Sequence, residues 1–268
     1  MKAPALLLPI SFLICFLLPF PPCNGAADPL GQYCSQDRNT TRATSANIGR
    51  VLDALVRKAS ADGFATAVSG DGGSGERAYG LAQCRGDVGA EDCRACLSDA
   101  ARRLPELCPG QADARIWYDY CFLRYDTRDF AGQLDVGYGI FYINTENVTE
   151  DAGEQERFDR ELGKVMGRVR AMAVAPANRG LGRAQTDFTP LVTVYALGQC
   201  TRDLPPLGCA QCVAIAVANF PNFCRHRKGC RALYSSCYVR YEIYPFFFPL
   251  SSSMTTATGS YSIAVVHP

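Results

Sequence analysis

Two stretches of the chain share one cysteine spacing: residues 84–96 read CRGDVGAEDCRAC and residues 200–212 read CTRDLPPLGCAQC. In each stretch, eight residues separate the first cysteine from the second, and two separate the second from the third. The stretches lie 116 positions apart, and the same shift relates two further cysteine pairs, Cys108 with Cys224 and Cys121 with Cys237. Five cysteines thus recur at a single offset of 116 residues. A repeat unit of this length predicts two tandem domains, because the repeats of a solenoid are shorter.

The length and composition fit two globular domains. The chain has 268 residues, of which 48% are hydrophobic and 20% are charged, and this balance excludes wholesale disorder. Lys and Arg number 27 against 26 Asp and Glu, so the positive excess that nucleic-acid binding needs is missing. Two histidines, His226 and His267, leave little room for a histidine-based triad or a multi-histidine metal site.

The N-terminal residues predict secretion. Residues 3–20 are nearly all apolar and are followed by Gly25-Ala26-Ala27, so residues 1–27 read as a signal peptide. An uncleaved membrane anchor is the alternative, which the prolines within the run disfavour. No second apolar run approaches the length of about 20 residues that a spanning helix needs. We therefore expect an extracellular protein without membrane insertion, with glycosylation sequons at Asn39 and Asn147.

The cysteine count predicts a disulfide framework. Removal of the signal peptide takes away Cys15 and Cys23 and leaves twelve of the 14 cysteines, an even number in a secreted chain. The second copy lacks a counterpart of Cys34 and gains Cys230, and neighbouring cysteines on one helical turn are too close to bridge each other. Among the many possible connectivities, the repeat favours Cys34–Cys108, Cys84–Cys93, Cys96–Cys121, Cys200–Cys209, Cys212–Cys237 and Cys224–Cys230.

Periodicity within each copy predicts helices packed against an antiparallel sheet. Helices are expected at Ala46–Ser60, Ala90–Leu104, Glu154–Val174 and Cys209–Asn219. Strands are expected at Arg115–Asp126, Val136–Ile143 and Arg231–Ile243. We assign the two domains to residues 28–147 and 148–250, followed by a flexible Ser/Thr-rich tail at 251–268.

Two aromatic blocks make the repeat specific: ARIWYDYCFLRYD at 114–126 and RALYSSCYVRYEIYPF at 231–246. With the shared cysteine spacing, they resemble the plant cysteine-rich repeat secretory proteins, whose unit is the ginkbilobin-homologous or salt-stress-response/antifungal domain. The resemblance covers about residues 28–250. It implies an α+β fold, in which two tandem, disulfide-stabilised copies each place two helices on a five-stranded antiparallel sheet.

The same tandem forms the ectodomains of cysteine-rich receptor-like kinases and of plasmodesmata-located proteins. In both of those groups a transmembrane helix follows the tandem. No such segment follows it in this sequence, so the chain resembles the secreted branch of the family.

Some members of that family bind mannose through an Asn, an Arg and a Glu. The resemblance puts Ser35, Arg115 and Asp126 at these positions in the first copy, and Arg231 and Glu242 at the last two in the second. Neither copy matches the full triplet, and the Asn position of the second copy has no clear equivalent because its first cysteine is missing. Arginine and carboxylate groups suit sugar hydroxyls as donors and acceptors. The alternative is that these residues form cross-strand salt bridges.

Other chemistry is disfavoured by the sequence. The pairs Cys93/Cys96 and Cys209/Cys212 match the Cys-x-x-Cys pattern of zinc and thioredoxin-like sites, but each belongs to a six-cysteine set in a secreted chain. The sequence holds no paired-carboxylate motif, no nucleophile with a neighbouring base and no cofactor loop. We therefore expect no enzyme, no metal and no cofactor.

Together these features predict a lectin-like binding protein of the plant apoplast that acts in defence or stress signalling. Its expected partner is a cell-wall or microbial glycan, or the ectodomain of a related receptor. The alternative is a directly antifungal protein that acts on microbial surfaces. No feature of the sequence indicates an oligomeric state.

Overall fold

A computed structural model describes residues 28–71, 76–248 and 261–267. The predicted signal peptide at 1–27 lies outside these residues. Among the helices that are described, none has both the length and the apolar composition needed to cross a bilayer. The chain forms two units with helices and an antiparallel sheet in each, which confirms the expected α+β class.

The first unit has two helices and five strands, as the resemblance implied. Its helices are α1 (Arg42–Asp62) and α2 (Ala90–Leu107). Its strands are β1 (Gly31–Cys34), β2 (Phe64–Ser69), β3 (Ala78–Cys84), β4 (Asp113–Trp117) and β5 (Cys121–Asp126). Their order in the sheet is β1-β4-β5-β3-β2, with every neighbouring pair antiparallel.

The second unit repeats this arrangement with one strand and one short helix more among the described residues. Its helices are α3 (Ala152–Val174), α4 (Pro206–Ala218) and the short α5 (Phe220–Phe223), with a 3-10 turn at Pro176–Asn178. Its strands are β6 (Gly139–Asn144), β7 (Leu181–Thr189), β8 (Val192–Cys200), β9 (Gly229–Tyr234), β10 (Cys237–Glu242) and β11 (Tyr261–Val266). Their order is β11-β6-β9-β10-β8-β7.

Two segments pair differently from what the expected domain limits imply. The flexible tail at 251–268 contains β11, because this apolar segment finds backbone partners along the whole of β6. The expected first domain at 28–147 contains β6, which pairs with β9 of the second sheet from Gly139↔Tyr234 onwards. The boundary between the units therefore falls between the end of β5 and the start of β6.

Each aromatic block expected as one strand is a hairpin of two. Residues 115–126 include a turn at 118–120 between β4 and β5, and residues 231–243 include a turn at 235–236 between β9 and β10. Neither turn contains glycine or proline. Their turn-forming residues are Asp119 in the first and Ser235-Ser236 in the second, and so short a signal between aromatic segments does not mark the break in the sequence.

Helix α1 shows how local signals and burial act together. Thr41 caps its start, with Oγ1 accepting a hydrogen bond from the backbone N–H of Thr44 at 3.1 Å, and Gly63 ends it in the left-handed conformation at φ 74°. At Gly80 of β3, a Cβ atom would lie 2.3 Å from Cγ1 of Val51. The helix packs this closely on the sheet because residue 80 is glycine. The buried face of the helix consists of Ile48, Val51, Leu52 and Leu55.

Six disulfides fasten the helices to the sheets. Their pairs are those that the repeat favoured: Cys34–Cys108, Cys84–Cys93, Cys96–Cys121, Cys200–Cys209, Cys212–Cys237 and Cys224–Cys230. In the first unit, Cys93 and Cys96 tie the first turns of α2 to the end of β3 and the start of β5. The second unit repeats both bridges with the same sequence separations of 9 and 25 residues.

The bridges that differ between the units should differ in their contribution to stability. Cys34–Cys108 spans 74 residues, and Cys224–Cys230 spans 6. On the chain-entropy account, the double variant Cys34→Ala/Cys108→Ala should lower the free energy of unfolding by about 4 kcal/mol, and Cys224→Ala/Cys230→Ala by about 2 kcal/mol. Urea unfolding followed by the fluorescence of Trp117 measures both losses. A larger loss from the short bridge would contradict this expectation.

Candidate functional site

The sheet of the first unit has a charged outer face, opposite its helices. Four residues of β4 and β5 point toward the helices and are 2% exposed or less: Ala114, Ile116, Leu123 and Tyr125. The alternate residues lie on the other face, and they are Asp113, Arg115, Arg124 and Asp126. Like charges face each other across the two strands, because Asp113 is the register partner of Asp126 and Arg115 that of Arg124.

A cleft of about 330 Å³ opens on this outer face. Three of the residues proposed for sugar contact, Ser35, Arg115 and Asp126, line this one cleft. The hydroxyl of Ser35 donates to Oε1 of Gln111 at 3.4 Å, beside the cleft. The remaining lining residues are Tyr33, Asp37, Arg38, Asp113, Arg124, Arg128, Asp129, Phe130 and Gln133.

Arg115 is held by three oxygen atoms. Its Nη2 donates to Oδ2 of Asp113 at 3.0 Å, and its Nη1 donates to Oδ2 of Asp135 and to Oγ of Ser235, both at 2.6 Å. The guanidinium also lies over the ring of Tyr33, 4.6 Å from its centroid. Burial opposes the charge of Arg115, but Asp113 and Asp135 outweigh burial and raise its pKa. Because Ser235 belongs to the second unit, this arginine also joins the two units.

Asp126 is held from two sides. Arg38 donates to both of its carboxylate oxygens, with Nη1 at 3.0 Å from Oδ1 and Nη2 at 3.4 Å from Oδ2. The backbone N–H of Arg128 donates to Oδ1 at 2.9 Å, and Nη2 of Arg124 lies 3.7 Å from Oδ2. These contacts fix the orientation of the carboxylate. A ligand that uses Asp126 must therefore exchange hydrogen bonds with Arg38, which is the partly exposed member of the set.

The charges of the cleft balance. Its lining contains four arginines, at positions 38, 115, 124 and 128, and four aspartates, at positions 37, 113, 126 and 129. The pKa of Asp113 is raised by burial, although Arg115 favours its ionised form. A surface that is rich in donors and acceptors but carries no excess charge suits a neutral, hydroxyl-rich ligand better than an ion.

The corresponding residues of the second unit are tied to the first unit. Nη1 of Arg231 lies 3.1 Å from Oδ1 of Asp119, which stands in the turn between β4 and β5. Arg240 donates through Nε to Oε1 of Glu242 at 2.8 Å, and its Nη1 lies 3.4 Å from the same Asp119 oxygen. Arg231 and Glu242 thus belong to an ion network that reaches Asp119 of the first unit.

The Asn position of the second unit, for which the cysteine spacing gives no equivalent, is found in the register of β6 against β9. Tyr142 of β6 is the register partner of Arg231, as the tyrosine of β1 is of Arg115. Two residues further on, Asn144 takes the place that Ser35 has after β1. The shift between the copies is 109 positions here rather than 116, so an alignment on the cysteines alone does not find Asn144. A search for a tyrosine followed two residues later by Asn or Ser would have found it.

The triplet of the second unit is complete but closed. Asn144, Arg231 and Glu242 are 5%, 6% and 0% exposed. In the first unit, Arg115 and Asp126 are 6% and 5% exposed, and Ser35 is half-buried. The units therefore differ at the Asn position and at the carboxylate, and not at the arginine. The ring of Phe246 covers the guanidinium of Arg240, 4.2 Å from ring centroid to carbon. The carboxylate of Glu242 is thus out of reach of a ligand, whereas the cleft of the first unit meets the solvent at Ser35 and Arg38.

A reciprocal pair of glutamines sets the orientation of the units. Nε2 of Gln83 donates to the carbonyl of Cys200 at 2.9 Å, and Nε2 of Gln199 donates to the carbonyl of Cys84 at 3.1 Å. Gln83 and Gln199 are counterparts in the repeat, so these bonds follow a pseudo-twofold axis. Beside them lies an apolar cluster formed by Trp117, Ile140 and Leu233.

The described residues give no support to a metal site. No group of three or more His, Cys, Asp and Glu side chains within residues 28–71, 76–248 and 261–267 is arranged to hold an ion. The four cysteines of the Cys-x-x-Cys elements all form disulfides.

Comparison with known families matches residues 33–128 and 144–244 to the family described as salt stress response/antifungal. The chain is 49% identical over 244 residues to the cysteine-rich repeat secretory protein 55 of Arabidopsis thaliana, covering 90% of this chain and 92% of that protein. It is 36% identical to the antimicrobial ginkbilobin-2-like protein of Castanea crenata, over 82% of this chain and 89% of that protein.

A solved structure has the same fold. It is the tandem DUF26 ectodomain of the Arabidopsis thaliana cysteine-rich receptor-like protein PDLP8, with a TM-score of 0.68 and 25% sequence identity. The similarity covers 80% of this chain and 98% of that ectodomain. The arrangement of two units in tandem is therefore shared with receptor-like ectodomains.

Asp119 carries the electrostatic link between the units. Burial opposes its ionisation, but Arg231, Arg240 and Arg85 outweigh burial and hold the pKa of Asp119 below its ordinary value. The hydroxyl of Tyr238 also donates to Oδ1 of Asp119 at 3.2 Å. The ionised carboxylate therefore stabilises the folded chain.

Asp119→Asn should lower the free energy of unfolding by about 2 kcal/mol near neutral pH, since hydrogen bonds to a charged group are lost. A carboxylate with a lowered folded pKa stabilises the protein above its unfolded pKa and loses this effect below it. The difference between the wild type and the variant should therefore shrink as the pH falls below about 4. Urea unfolding at a series of pH values tests this, with the exposed Asp129→Asn as the control that changes stability little.

Proposed function

The chain belongs to the salt stress response/antifungal family, and from this premise we propose that it is a non-enzymatic extracellular protein that binds neutral glycans through the cleft of the first unit. Its relatives include secretory proteins and receptor-like ectodomains. The apoplast is the compartment in which such a protein meets both cell-wall and microbial glycans.

The balanced charge of the cleft is the observation that carries this proposal. Four arginines and four aspartates offer donors and acceptors at short spacing without selecting a cation or an anion. The volume of about 330 Å³ lies at the small end of the range for ligand pockets, which suits one end of a sugar chain. The ring of Tyr33 also lines the cleft, where the guanidinium of Arg115 lies over it.

The mannose specificity rests on the resemblance to the family's triplet. Ser35 stands where sugar-binding members have Asn, and Asp126 stands where they have Glu. A serine offers one hydroxyl where an amide offers a donor and an acceptor together, so we expect the affinity of this chain for mannose to be weak.

A direct antimicrobial action is the second candidate function. The relative from Castanea crenata that is 36% identical to this chain is named an antimicrobial protein. The two functions differ in one outcome: a purified antifungal protein inhibits fungal growth in a dose-dependent way, and a binding-only protein does not. A related receptor ectodomain remains the alternative partner, since the chain shares the tandem architecture of such ectodomains.

Restoring the family's Asn should strengthen sugar binding. We expect Ser35→Asn to raise the affinity of the secreted, oxidised protein for mannose-type glycans about fivefold to tenfold, the effect of about one added hydrogen bond. Asp126→Asn, which keeps the shape of the side chain but removes its charge, should weaken binding. A glycan array followed by titration calorimetry measures both changes.

Gln36→Asn is the matched control for the serine variant. Gln36 is the neighbouring residue, is exposed, and has a left-handed backbone with φ 49° that asparagine tolerates. It does not line the cleft, so its affinity for glycans should equal that of the wild type. Absence of glycan binding in all four proteins would reject the glycan function and direct attention to receptor ectodomains.

A further inference from the structure

We propose that an N-linked glycan on Asn39 stands at the mouth of the first-unit cleft and limits the access of ligands to it. This inference rests on the proposed glycan-binding function and adds a level of regulation to the same site. The modified residue is Asn39, and the residue before it in the sequence, Arg38, lines the cleft.

A single side chain connects Asn39 to the cleft. Nε2 of Gln111 lies 3.5 Å from Oδ1 of Asn39, and Oε1 of Gln111 accepts from the hydroxyl of Ser35 at 3.4 Å. Arg38, the residue before Asn39, holds Asp126 and lines the cleft. Asn39 itself is exposed. A bulky group on this side chain therefore projects into the solvent beside two lining residues of the cleft.

The sequence around Asn39 fits the modification. Asn39-Thr40-Thr41 is an acceptor sequon in a chain that is expected to be secreted. The amide nitrogen of Asn39 would form the bond to the first sugar of an oligosaccharide carried on a polyprenol diphosphate. The bond between that sugar and the diphosphate breaks, and the amide gives up one proton.

The second unit contains a natural comparison. Asn39 forms an isolated backbone bridge with Gln111, and Asn147 forms the same bridge with Arg227, which is the counterpart of Gln111 in the repeat. Asn147 begins the other sequon. Both sequons thus occupy the same place in their units. Near Asn147 the carboxylate of Glu242 is fully buried, whereas the glycan on Asn39 would stand beside a cleft that meets the solvent.

The structure also determines which substitution isolates the glycan. Thr41 completes the sequon, but its hydroxyl caps α1, so a Thr41→Ala variant would disturb the helix as well. Asn39→Gln removes the acceptor amide and leaves this cap and the backbone bridge in place. Asn147→Gln is the matched control, because it removes the equivalent glycan from the closed unit.

The first measurement is the rate at which wild type, Asn39→Gln and Asn147→Gln, all secreted and oxidised, associate with a mannose oligosaccharide. Mass spectrometry first establishes the occupancy of both sequons. We expect Asn39→Gln to associate with the oligosaccharide about tenfold faster than the wild type, which is at the low end of the spread of association rates among variants of one interface. Asn147→Gln should associate at the rate of the wild type. An unmodified Asn39 in the wild type, or equal rates for all three proteins, would overturn the inference.

A second measurement does not depend on glycan binding. Gln133 is an exposed lining residue of the cleft, and Gln133→Cys introduces a thiol there. Its reaction with a bulky polymer-linked maleimide should be severalfold faster when Asn39→Gln is also present, while a small maleimide reacts at the same rate in both backgrounds. Faster labelling without any sugar binding would reject the proposed function but support the shielding. Equal labelling by the bulky reagent would reject the shielding alone.

Discussion

The carboxylate of Asp119 decides how the two copies of the repeat differ. It stands in the turn between β4 and β5, at the position that Ser235 occupies in the second unit. Asp119 crosses the interface and neutralises the buried arginines of the second sheet, whereas Ser235 offers Arg115 only a hydroxyl. The first sheet therefore needs an acid from elsewhere, and Asp135 supplies it from the segment between β5 and β6.

This difference makes one copy open and the other closed. Asp135 keeps 23% of its side chain exposed, and its partners Arg115 and Arg124 line the cleft of the first unit. In the second unit, Glu242 is fully buried and its arginine partner lies beneath Phe246. The paired bonds of Gln83 and Gln199 hold the units so that this asymmetry persists. Duplication has thus produced one charged face inside the interface and one facing the solvent.

The cysteines made much of the fold predictable, because their spacing specifies which short segments meet. Cys93 and Cys96 anchor one helix to two strands, and that pattern is local enough to find in the sequence. The placement of β6 and β11 was not predictable in this way, since partners across a sheet edge are distant in the chain. Asn144 was missed for the same reason: the register of β6 against β9, and not the cysteine pattern, makes it the counterpart of Ser35.

The candidate site was likewise predictable only in part. The resemblance brought Ser35, Arg115 and Asp126 together, but not the residues that hold them, because Arg38 and Asp135 come from segments without a periodic pattern. These partners have a functional consequence: a sugar must displace or share existing ion pairs, which weakens each single contact. With the second copy closed, the chain offers one open site and gains no avidity from its own duplication. The proposed glycan binding through one site would then depend on a high local concentration of ligand, such as a cell wall or a microbial surface provides.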